Sequence, residues 1–385
     1  MFQYRKQPAM RILHIMSGYG GGISTFIHNI ASEIQSYGIQ FDVVTYDRVS
    51  DEFLQAIQST GGDVYQLKNP KKAGWFEFRK SFTRILELYD YDLIHCHISG
   101  YRSLVYKYLA SQYQIRKIFV HAHYIADHES TAPLKQVKLW LDQWANNYVS
   151  DAFIGCSREA IRSLYGFKTP VNQMIIIPNS INEAAFVKDE YSEKLLRKEG
   201  RQQFALESHQ PVIGHIGRLH PIKNHQLSLA IARYMKRNQL PGVILFVGAG
   251  ELAEELEQTI KQEDLNDQVR LVGRVSPVSD FLPVLDAIIL PSFKEGLGTV
   301  AIEGQAAGIP IVMNETITRE SDLGLDLISR LSLEASPAEW YEALVEASRK
   351  EKPSADNRLE ALNSHKFTNN QAARLYTRFI RGEVR

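Results

Sequence analysis

The strongest constraint on this chain is an alternation of short apolar, β-branched runs with longer helical patterns along nearly its whole length. Such alternation is typical of βαβ units, in which helices cover both faces of a parallel sheet. We therefore expect an α/β fold with two doubly wound, Rossmann-like parallel-sheet domains facing a central cleft. The predicted strands are 11–16, 41–46, 92–98, 117–123, 151–157, 174–179, 211–218, 242–250, 269–273, 287–292 and 309–314.

The domain boundary is predicted from a charged stretch without a strand pattern, which places a linker near residues 183–190. A length of 385 residues also fits two domains, at about 150 residues each. We assign 1–187 to an N-terminal domain and 188–365 to a C-terminal domain. Residues 366–385 carry an apolar helical stripe and should pack back towards the N-terminal domain.

Composition excludes several classes of protein. Lys plus Arg and Asp plus Glu are both 44, so no global charge draws the chain to nucleic acid. Cys96 and Cys156 lie in apolar segments and are expected to be buried thiols, as in a reducing cytosol. Because neither a signal peptide nor a spanning segment is apparent, the sequence favours a cytoplasmic protein.

A glycine-rich loop follows the first predicted strand and includes Gly20, Gly21 and Gly22. Glycines let the backbone approach an anion, and the following helix start offers unpaired amides, so phosphate binding is expected here. The dinucleotide fingerprint fails because its third glycine would fall on Ile23 or Thr25. A tight turn without a ligand is the alternative.

Two cations, Arg218 and Lys223, lie five residues apart on a turn after another predicted strand. A guanidinium binds phosphate oxygens in a bidentate manner and an ammonium adds a point charge, which suits a diphosphate. The alternative is that both cations are simply solvated.

The most informative segment runs from Pro291 to Pro310. A buried strand ends in a loop that carries Glu295, a helix starts near Thr299, and Glu303 follows the first turn of that helix. Carboxylates accept hydrogen bonds from hydroxyls and helix amides bind phosphate, so this layout fits a nucleotide sugar.

Glu295 and Glu303 form an E-x7-E element that resembles the one in retaining family 4 glycosyltransferases. The resemblance extends along nearly the entire chain and is greatest to bacterial enzymes that build capsular or exopolysaccharide units. It implies the GT-B fold, with the acceptor held mainly by the first domain and the donor mainly by the second.

The resemblance also assigns roles to individual positions. Arg218 and Lys223 resemble the two residues that bind the donor diphosphate in this family. Glu303 resembles the residue that binds the ribose hydroxyls, and Glu295 resembles the carboxylate at the donor hexose. The resemblance implies further donor-side positions. The backbone amides of Leu297, Gly298 and Thr299 should bind the diphosphate, and the backbone near Arg274 and Val275 should contact the nucleobase. Gly20, Gly21 and Gly22 should let the first domain close over the phosphates.

On the acceptor side, His123 resembles the family's active-site histidine. Tyr124 follows it where the family usually has an aspartate, so His121 remains a candidate, and His97 is a second acceptor-side candidate. The alternative for each is a core histidine. We read the Asp90-Tyr91-Asp92 motif as a turn into a strand, and expect no metal and no cofactor beyond the nucleotide-sugar co-substrate.

A helical stripe between Lys68 and Tyr89 raises the question of membrane contact. Aromatic and aliphatic residues recur at helical spacing beside several lysines and arginines, a pattern found in helices that bind anionic bilayers. The hypothesis is peripheral contact with the inner membrane face, and the alternative is packing of the stripe on its own sheet.

The sequence thus predicts a retaining transferase that moves a hexose from a nucleoside diphosphate sugar, with uridine the favoured base, to a saccharide or lipid-linked saccharide in bacterial exopolysaccharide or capsule synthesis. The rivals are a nucleotide-sugar epimerase or phosphorylase of the same fold, a catalytically silent nucleotide-sugar-binding module, and, more distantly, a dehydrogenase.

Overall fold

The computed structural model describes residues 10–125, 132–207 and 210–383. Within these ranges the chain forms two compact units. The first consists of the described parts of Met1–Ser180 and Lys366–Arg385, and the second is Ile181–His365. The chain therefore leaves the first unit once and returns to it near its C-terminus.

The first unit has a seven-stranded parallel sheet in the order β3-β2-β1-β4-β5-β6-β7. Its strands are β1 (Met10–Ile15), β2 (Ile39–Thr45), β3 (Val64–Gln66), β4 (Leu93–Cys96), β5 (Lys117–Ala122), β6 (Phe153–Gly155) and β7 (Met174–Ile176). Its helices are α1 (Gly22–Ile34), α2 (Asp51–Ser59), α3 (Pro70–Leu86), α4 (Tyr101–Ser111), α5 (Pro133–Val149), α6 (Arg158–Tyr165) and, from the C-terminal segment, α15 (Asn369–Ile380).

The second unit has a six-stranded parallel sheet in the order β10-β9-β8-β11-β12-β13. Its strands are β8 (Val212–Ile216), β9 (Val243–Val247), β10 (Val269–Gly273), β11 (Ala287–Leu290), β12 (Ile311–Asn314) and β13 (Ile328–Leu331). Its helices are α7 (Glu183–Phe186), α8 (Glu190–Gln203), α9 (His225–Arg237), α10 (Ala253–Gln262), α11 (Val278–Phe281), α12 (Thr299–Ala306), α13 (Pro337–Ala347) and α14 (Ala355–Ser364).

All eleven predicted strands are present, although most are shorter than predicted, and the α/β class with two parallel sheets is confirmed. The prediction missed β3 and β13, which are the edge strands of their sheets. The stretch proposed as a linker is largely helical, in α7 and the start of α8, and it belongs to the second unit.

Buried apolar residues of the strands form the centre of each unit. β4 and β8 are buried along their full length, as expected for inner strands of sheets covered on both faces. Helix α15 packs on α1, and its predicted stripe is buried at Ala372, Tyr376, Phe379 and Ile380. Burial raises the pKa of the free Cys96 thiol to about 12, and Cys156 is likewise a buried thiol.

The stripe between Lys68 and Tyr89 forms α3 and packs inwards. Phe78 and Phe82 are at most 2% exposed, and both contact the ring of Tyr106 edge-on. Trp75 and Tyr89, at its two ends, remain 50% and 44% exposed. The centre of this stripe therefore packs against α4, while both of its ends remain at the surface. No helix among the described residues is long and apolar enough to span a bilayer.

Candidate functional site

The candidate donor site lies at the carboxyl edge of the second sheet, between β8 and β11. Chain order reverses here, because β9 and β10 lie on one side of β8 while β11, β12 and β13 lie on the other. The loops that follow β8 and β11 therefore diverge, and open α/β sheets bind ligands in the crevice that such loops leave.

The loop after β8 brings Lys223 into this crevice. Gly217 makes room for the lysine stem, since a Cβ built on that glycine would lie 3.2 Å from Lys223 Cε. The loop ends in a 3-10 turn, Pro221–Lys223, and in Asn224, whose positive φ of 56° precedes α9. Lys223 is thereby held in place, with only 16% of its side chain exposed.

The loop after β11 is tied to the same place. Asn224 Nδ2 donates to the Pro291 carbonyl at 3.2 Å, and the Phe293 amide donates to the Ile222 carbonyl at 2.9 Å. These bonds bring Glu295 to Lys223, and their Nζ–Oε1 distance is 2.5 Å, with only 13% of the glutamate side chain exposed. The structure thus unites two predicted site residues that lie 72 positions apart.

Helix α12 begins at Thr299, as predicted, with Gly298 as its N-cap in the left-handed conformation (φ 77°). Glu303 lies on its second turn, where burial is the main effect and raises the pKa of the carboxyl group from 4.5 to about 7. The charge of Lys223 acts in the opposite direction and lowers it. One lysine therefore interacts with both predicted glutamates, and Glu303 titrates near neutral pH.

The other predicted donor residues lie on loops of the same edge. Arg218 directly follows Gly217, is 68% exposed, and has its guanidinium 3.8 Å from Glu251. Arg274 follows β10 and is exposed, whereas Val275 is partly buried against the apolar core. The structure thus pairs Lys223 with Glu295, but it places Arg218 beside Glu251 at the surface.

In the first unit, the glycine loop connects β1 to α1. Gly20 and Gly21 have φ values of 93° and 113°, which favour glycine, and a Cβ on either would meet no atom within 4 Å. The Gly20 amide donates to Ser24 Oγ, and that hydroxyl donates to the Gly21 carbonyl. The loop is thus an open glycine turn held by the first turn of α1.

The predicted histidines belong to a larger buried cluster at the carboxyl ends of β1, β4 and β5. His97 Nδ1 lies 2.7 Å from His123 Nε2, and His97 Nε2 lies 3.1 Å from His14 Nδ1. A second line joins His121 to His95 at 3.0 Å and His95 to Tyr376 Oη at 2.8 Å. The cluster thus comprises two hydrogen-bonded lines of imidazoles.

Burial controls the charge of this cluster. Desolvation lowers the pKa of His14 and of His123 from 6.5 to about 3, and it lowers the pKa values of His95, His97 and His121 well below the usual range. All five rings are therefore neutral at pH 7, when each has one N–H donor and one acceptor nitrogen. Among the described residues, His123 Nδ1, His14 Nε2 and His121 Nε2 are buried without a hydrogen-bond partner.

Sequence reasoning missed His14 as a member of this cluster and ranked His95 below His97. The available signal was the H-x-H spacing at 95–97 and 121–123, because residues two apart share one face of a strand. It also missed Gly248 and Gly250, where a Cβ would lie 1.9 Å and 2.2 Å from carbonyl oxygens of the 217–219 backbone. The Asp90-Tyr91-Asp92 motif precedes β4, and Asp92 accepts from the Arg11 amide, as predicted for a turn into a strand.

Comparison with protein families follows the same division of the chain. A model described as Glycosyltransferase Family 4 matches residues 20–185, and one described as Glycosyl transferases group 1 matches residues 197–322. Together with the two Rossmann-like sheets, these matches define a glycosyltransferase of the GT-B fold.

Individual relatives agree with this assignment. The chain is 25% identical to the putative glycosyltransferase EpsF of Bacillus subtilis (strain 168), over 89% of each chain. It is 26% identical to the Escherichia coli UDP-Gal:alpha-D-GlcNAc-diphosphoundecaprenol alpha-1,3-galactosyltransferase, over 61% of this chain and 60% of the relative. The crystal structure of Anabaena Alr3699/HepE with UDP-glucose superposes with a TM-score of 0.74 at 16% identity, covering 97% of this chain and all of HepE.

Proposed function

We propose that the protein transfers a hexose from a UDP-sugar to a saccharide or lipid-linked saccharide acceptor, with retention at the anomeric carbon. The observation that carries the proposal is the Lys223, Glu295 and Glu303 arrangement at the divergence of β8 and β11. Relatives supply the ligand classes, because HepE has been crystallised with UDP-glucose and the E. coli relative is named for a UDP-galactose donor and an undecaprenol-linked acceptor.

In this proposal the second unit binds the donor. The Lys223 ammonium has three N–H donors and gives one to Glu295, so further donors can serve phosphate oxygens. The amides of Leu297, Gly298 and Thr299 at the start of α12 add a positive dipole end. Arg218, being exposed, can swing towards the diphosphate. Charge that develops on the leaving diphosphate is then stabilised by groups already in position.

The carboxylates and the remaining loops bind the rest of the donor. Glu303 hydrogen-bonds the ribose hydroxyls and Glu295 binds the hexose, since both carboxyl groups provide acceptor oxygens and are little exposed. Arg274 and Val275 contact the nucleobase. We infer phosphate contact for Gly20, Gly21 and Gly22 from the open glycine turn that they form.

The histidine cluster serves the acceptor side. His123 is the most exposed of the five histidines and stands next to the sugar that is transferred, with His97 behind it and His121 beside it. Because the rings are neutral, they offer hydrogen bonds to sugar hydroxyls without adding charge. The departing phosphate oxygen takes the acceptor's proton, so no protein base and no metal ion is required.

The biological setting we propose is cytoplasmic synthesis of bacterial exopolysaccharide or capsule, supported by the likeness to EpsF along 89% of the chain. A silent module is not favoured, because Lys223 is paired with Glu295 and its charge acts on Glu303. An epimerase is not favoured, because EpsF and the E. coli relative are both named as glycosyltransferases.

The experiment has two stages. A thermal-shift panel of UDP-, GDP- and ADP-sugars should show a rise in melting temperature with a UDP-sugar, since a ligand that binds only the native state stabilises it. With that donor, UDP release should then require an added acceptor. No shift with any nucleotide sugar would refute the donor site, and UDP release independent of acceptor would refute transfer.

A further inference from the structure

Helix α5 presents a large apolar face to solvent. The exposed apolar residues of this helix fall within an arc of about 120° when they are plotted at 100° per residue. The buried residues of the helix are Ala145, Asn146 and Val149. Isolated exposed apolar residues are ordinary, but a continuous stripe marks a contact surface. The α5 face consists of Leu134 (86% exposed), Val137 (55%), Trp140 (64%), Leu141 (45%), Trp144 (51%) and Tyr148 (60%).

The first two turns of α5 lack cover from the neighbouring helix. Helix α4 begins at Tyr101, whose amide donates to Asp142 Oδ1, and Lys107 further along α4 donates to the Tyr148 carbonyl. The two helices therefore run side by side only from about Asp142 onwards, and residues 133–138 are all exposed. A short helical segment is marginal in water without packing, so this end of α5 is suited to an external apolar partner.

The surroundings of the α5 face are aromatic and basic. Tyr101 and Tyr108 on α4 are 60% and 61% exposed, and Lys107 Nζ lies 5.0 Å above the Tyr148 ring. Helices α3 to α6 carry eleven lysines and arginines against three aspartates and glutamates, although the whole chain is balanced. The helix layer around the α5 face is therefore net positive.

We propose that the α5 face docks on an anionic lipid bilayer. Trp and Tyr favour the interface between lipid and water, leucine and valine enter the acyl boundary, and basic residues are attracted to anionic headgroups. A second copy of the chain is a poorer occupant, because two net-positive surfaces would meet. Helix α5 follows the carboxyl end of β5, as His123 does, so docking holds the acceptor edge near the lipid. The lipid-linked acceptor rests on the proposed function, but the docking itself does not.

Vesicle co-sedimentation tests the face. The protein should bind vesicles of phosphatidylcholine with phosphatidylglycerol, bind pure phosphatidylcholine weakly, and detach as salt is raised. Replacing the α5 pair (Trp140→Ser with Trp144→Ser) should lower the partition coefficient at least ~10-fold. The matched control replaces Tyr191 and Leu195 by serine, an exposed pair with the same spacing on α8, and should bind like the native protein. Equal binding by both double variants would overturn the proposal.

Tryptophan quenching locates the contact. The chain has four tryptophans, of which Trp340 is fully buried while Trp75, Trp140 and Trp144 are at least half exposed. Brominated phosphatidylglycerol should quench the Trp75→Phe variant like the native protein. A variant with phenylalanine at both 140 and 144 should still bind but lose most of the quenching. The reverse pattern would move the contact to α3 and overturn the proposal.

Two further measurements keep the outcomes separate. Sedimentation velocity without vesicles should show the same oligomeric state for the native protein and the α5 serine variant. If the native protein self-associates, the serine variant does not, and neither binds vesicles, the α5 face binds a second copy of the chain and the proposal is overturned. The thermal shift with UDP-glucose should be the same in the serine variant as in the native protein. Loss of vesicle binding with that shift retained supports docking, whereas loss of both would mean that the variant is misfolded and would withdraw it as support.

Discussion

The carboxyl edges of the two sheets use opposite electrostatics. In the second unit, Lys223 interacts with two glutamates. This edge is therefore charged, and its charged groups are in position before a ligand binds. In the first unit, five buried histidines form hydrogen-bonded lines and are held neutral by desolvation. Two sheets of similar topology thus provide one edge suited to an anion and another suited to hydroxyl groups.

The largest expected effect concerns the charged edge. Lys223→Ala should lower turnover by ~10²–10³-fold, or about 3–4 kcal/mol of transition-state stabilisation, as expected for loss of a donor to a developing anion. Steady-state kinetics with the UDP-sugar identified by thermal shift measures the loss. Lys261→Ala, which removes an exposed lysine of α10, is the control and should be near native. Near-native turnover of Lys223→Ala would remove the charged edge from catalysis.

The next effect is a gain in stability at the same edge. Glu303 has a pKa raised to about 7, so the folded state holds a proton that the unfolded state loses near 4.5. Stability should therefore fall as pH rises from 4.5 to 7, and Glu303→Gln should remove this loss, a gain of about 3 kcal/mol at most at pH 8. Urea unfolding at pH 5 and pH 8 measures it. An equal effect of the substitution at both pH values would show that Glu303 has an ordinary pKa.

The neutral edge should respond to pH in the opposite direction. His14 has a pKa lowered to about 3, so below about 6.5 the unfolded state takes up a proton that the folded state does not. Stability from this group is full above 6.5 and declines by about 2 kcal/mol between pH 7 and pH 5. Hydrogen exchange of peptides containing β4 and β5, corrected for intrinsic rate, measures the decline.

Its control is His14→Phe, since the ring stacks near Phe41 and Tyr376 and an aromatic replacement keeps that contact. The variant should show a smaller decline on acidification than the native protein. If the native exchange does not change between pH 7 and pH 5, the histidines are not held neutral and the contrast between the two edges fails.

The smallest effect tests how the neutral edge holds His123. His97 lies 2.7 Å from it and acts as a positioning residue. His97→Leu removes the contact and should lower kcat about 10-fold, with KM for the donor unchanged. His97→Asn places an amide near the former Nδ1 and should recover much of the rate. Equal rates for the Leu and Asn variants would reduce His97 to a packing role.

Much of the fold could be predicted from the sequence. Buried parallel strands are continuous apolar runs, and all eleven that were predicted are present. β3 (VYQ) and β13 (ISRL) escaped because each is short and includes polar residues, so neither forms a continuous apolar run. Their place in the sheets depends on pairing with β2 and β12, which no local pattern reveals.

The site was predictable only in part. The start of α12 at Thr299 follows from local chemistry, because Gly298 can adopt the left-handed N-cap conformation. The ion pair of Lys223 with Glu295 depends on β8 and β11 lying side by side, and Arg218 shows that proximity in sequence does not ensure a shared direction. The sequence shows an H-x-H pair at the end of β4 and another at the end of β5. Whether the two pairs touch depends on the register between these strands, which the sequence does not give.

The α5 face illustrates a different limit. Leu134, Val137, Leu141, Trp144 and Tyr148 follow a 3-4 spacing that any buried amphipathic helix would show. The sequence could not reveal that this stripe faces solvent, whereas the centre of the similar stripe of α3 is buried. Which helix is covered depends on the length and position of its neighbours.

Calorimetric titration with UDP, compared with uridine, tests the charged edge most directly. UDP should bind the native protein much more tightly than uridine, and this advantage should largely disappear in Lys223→Ala. Equal affinity of UDP for the variant and the native protein, or equal affinity of UDP and uridine for the native protein, would show that the charged edge does not bind the diphosphate.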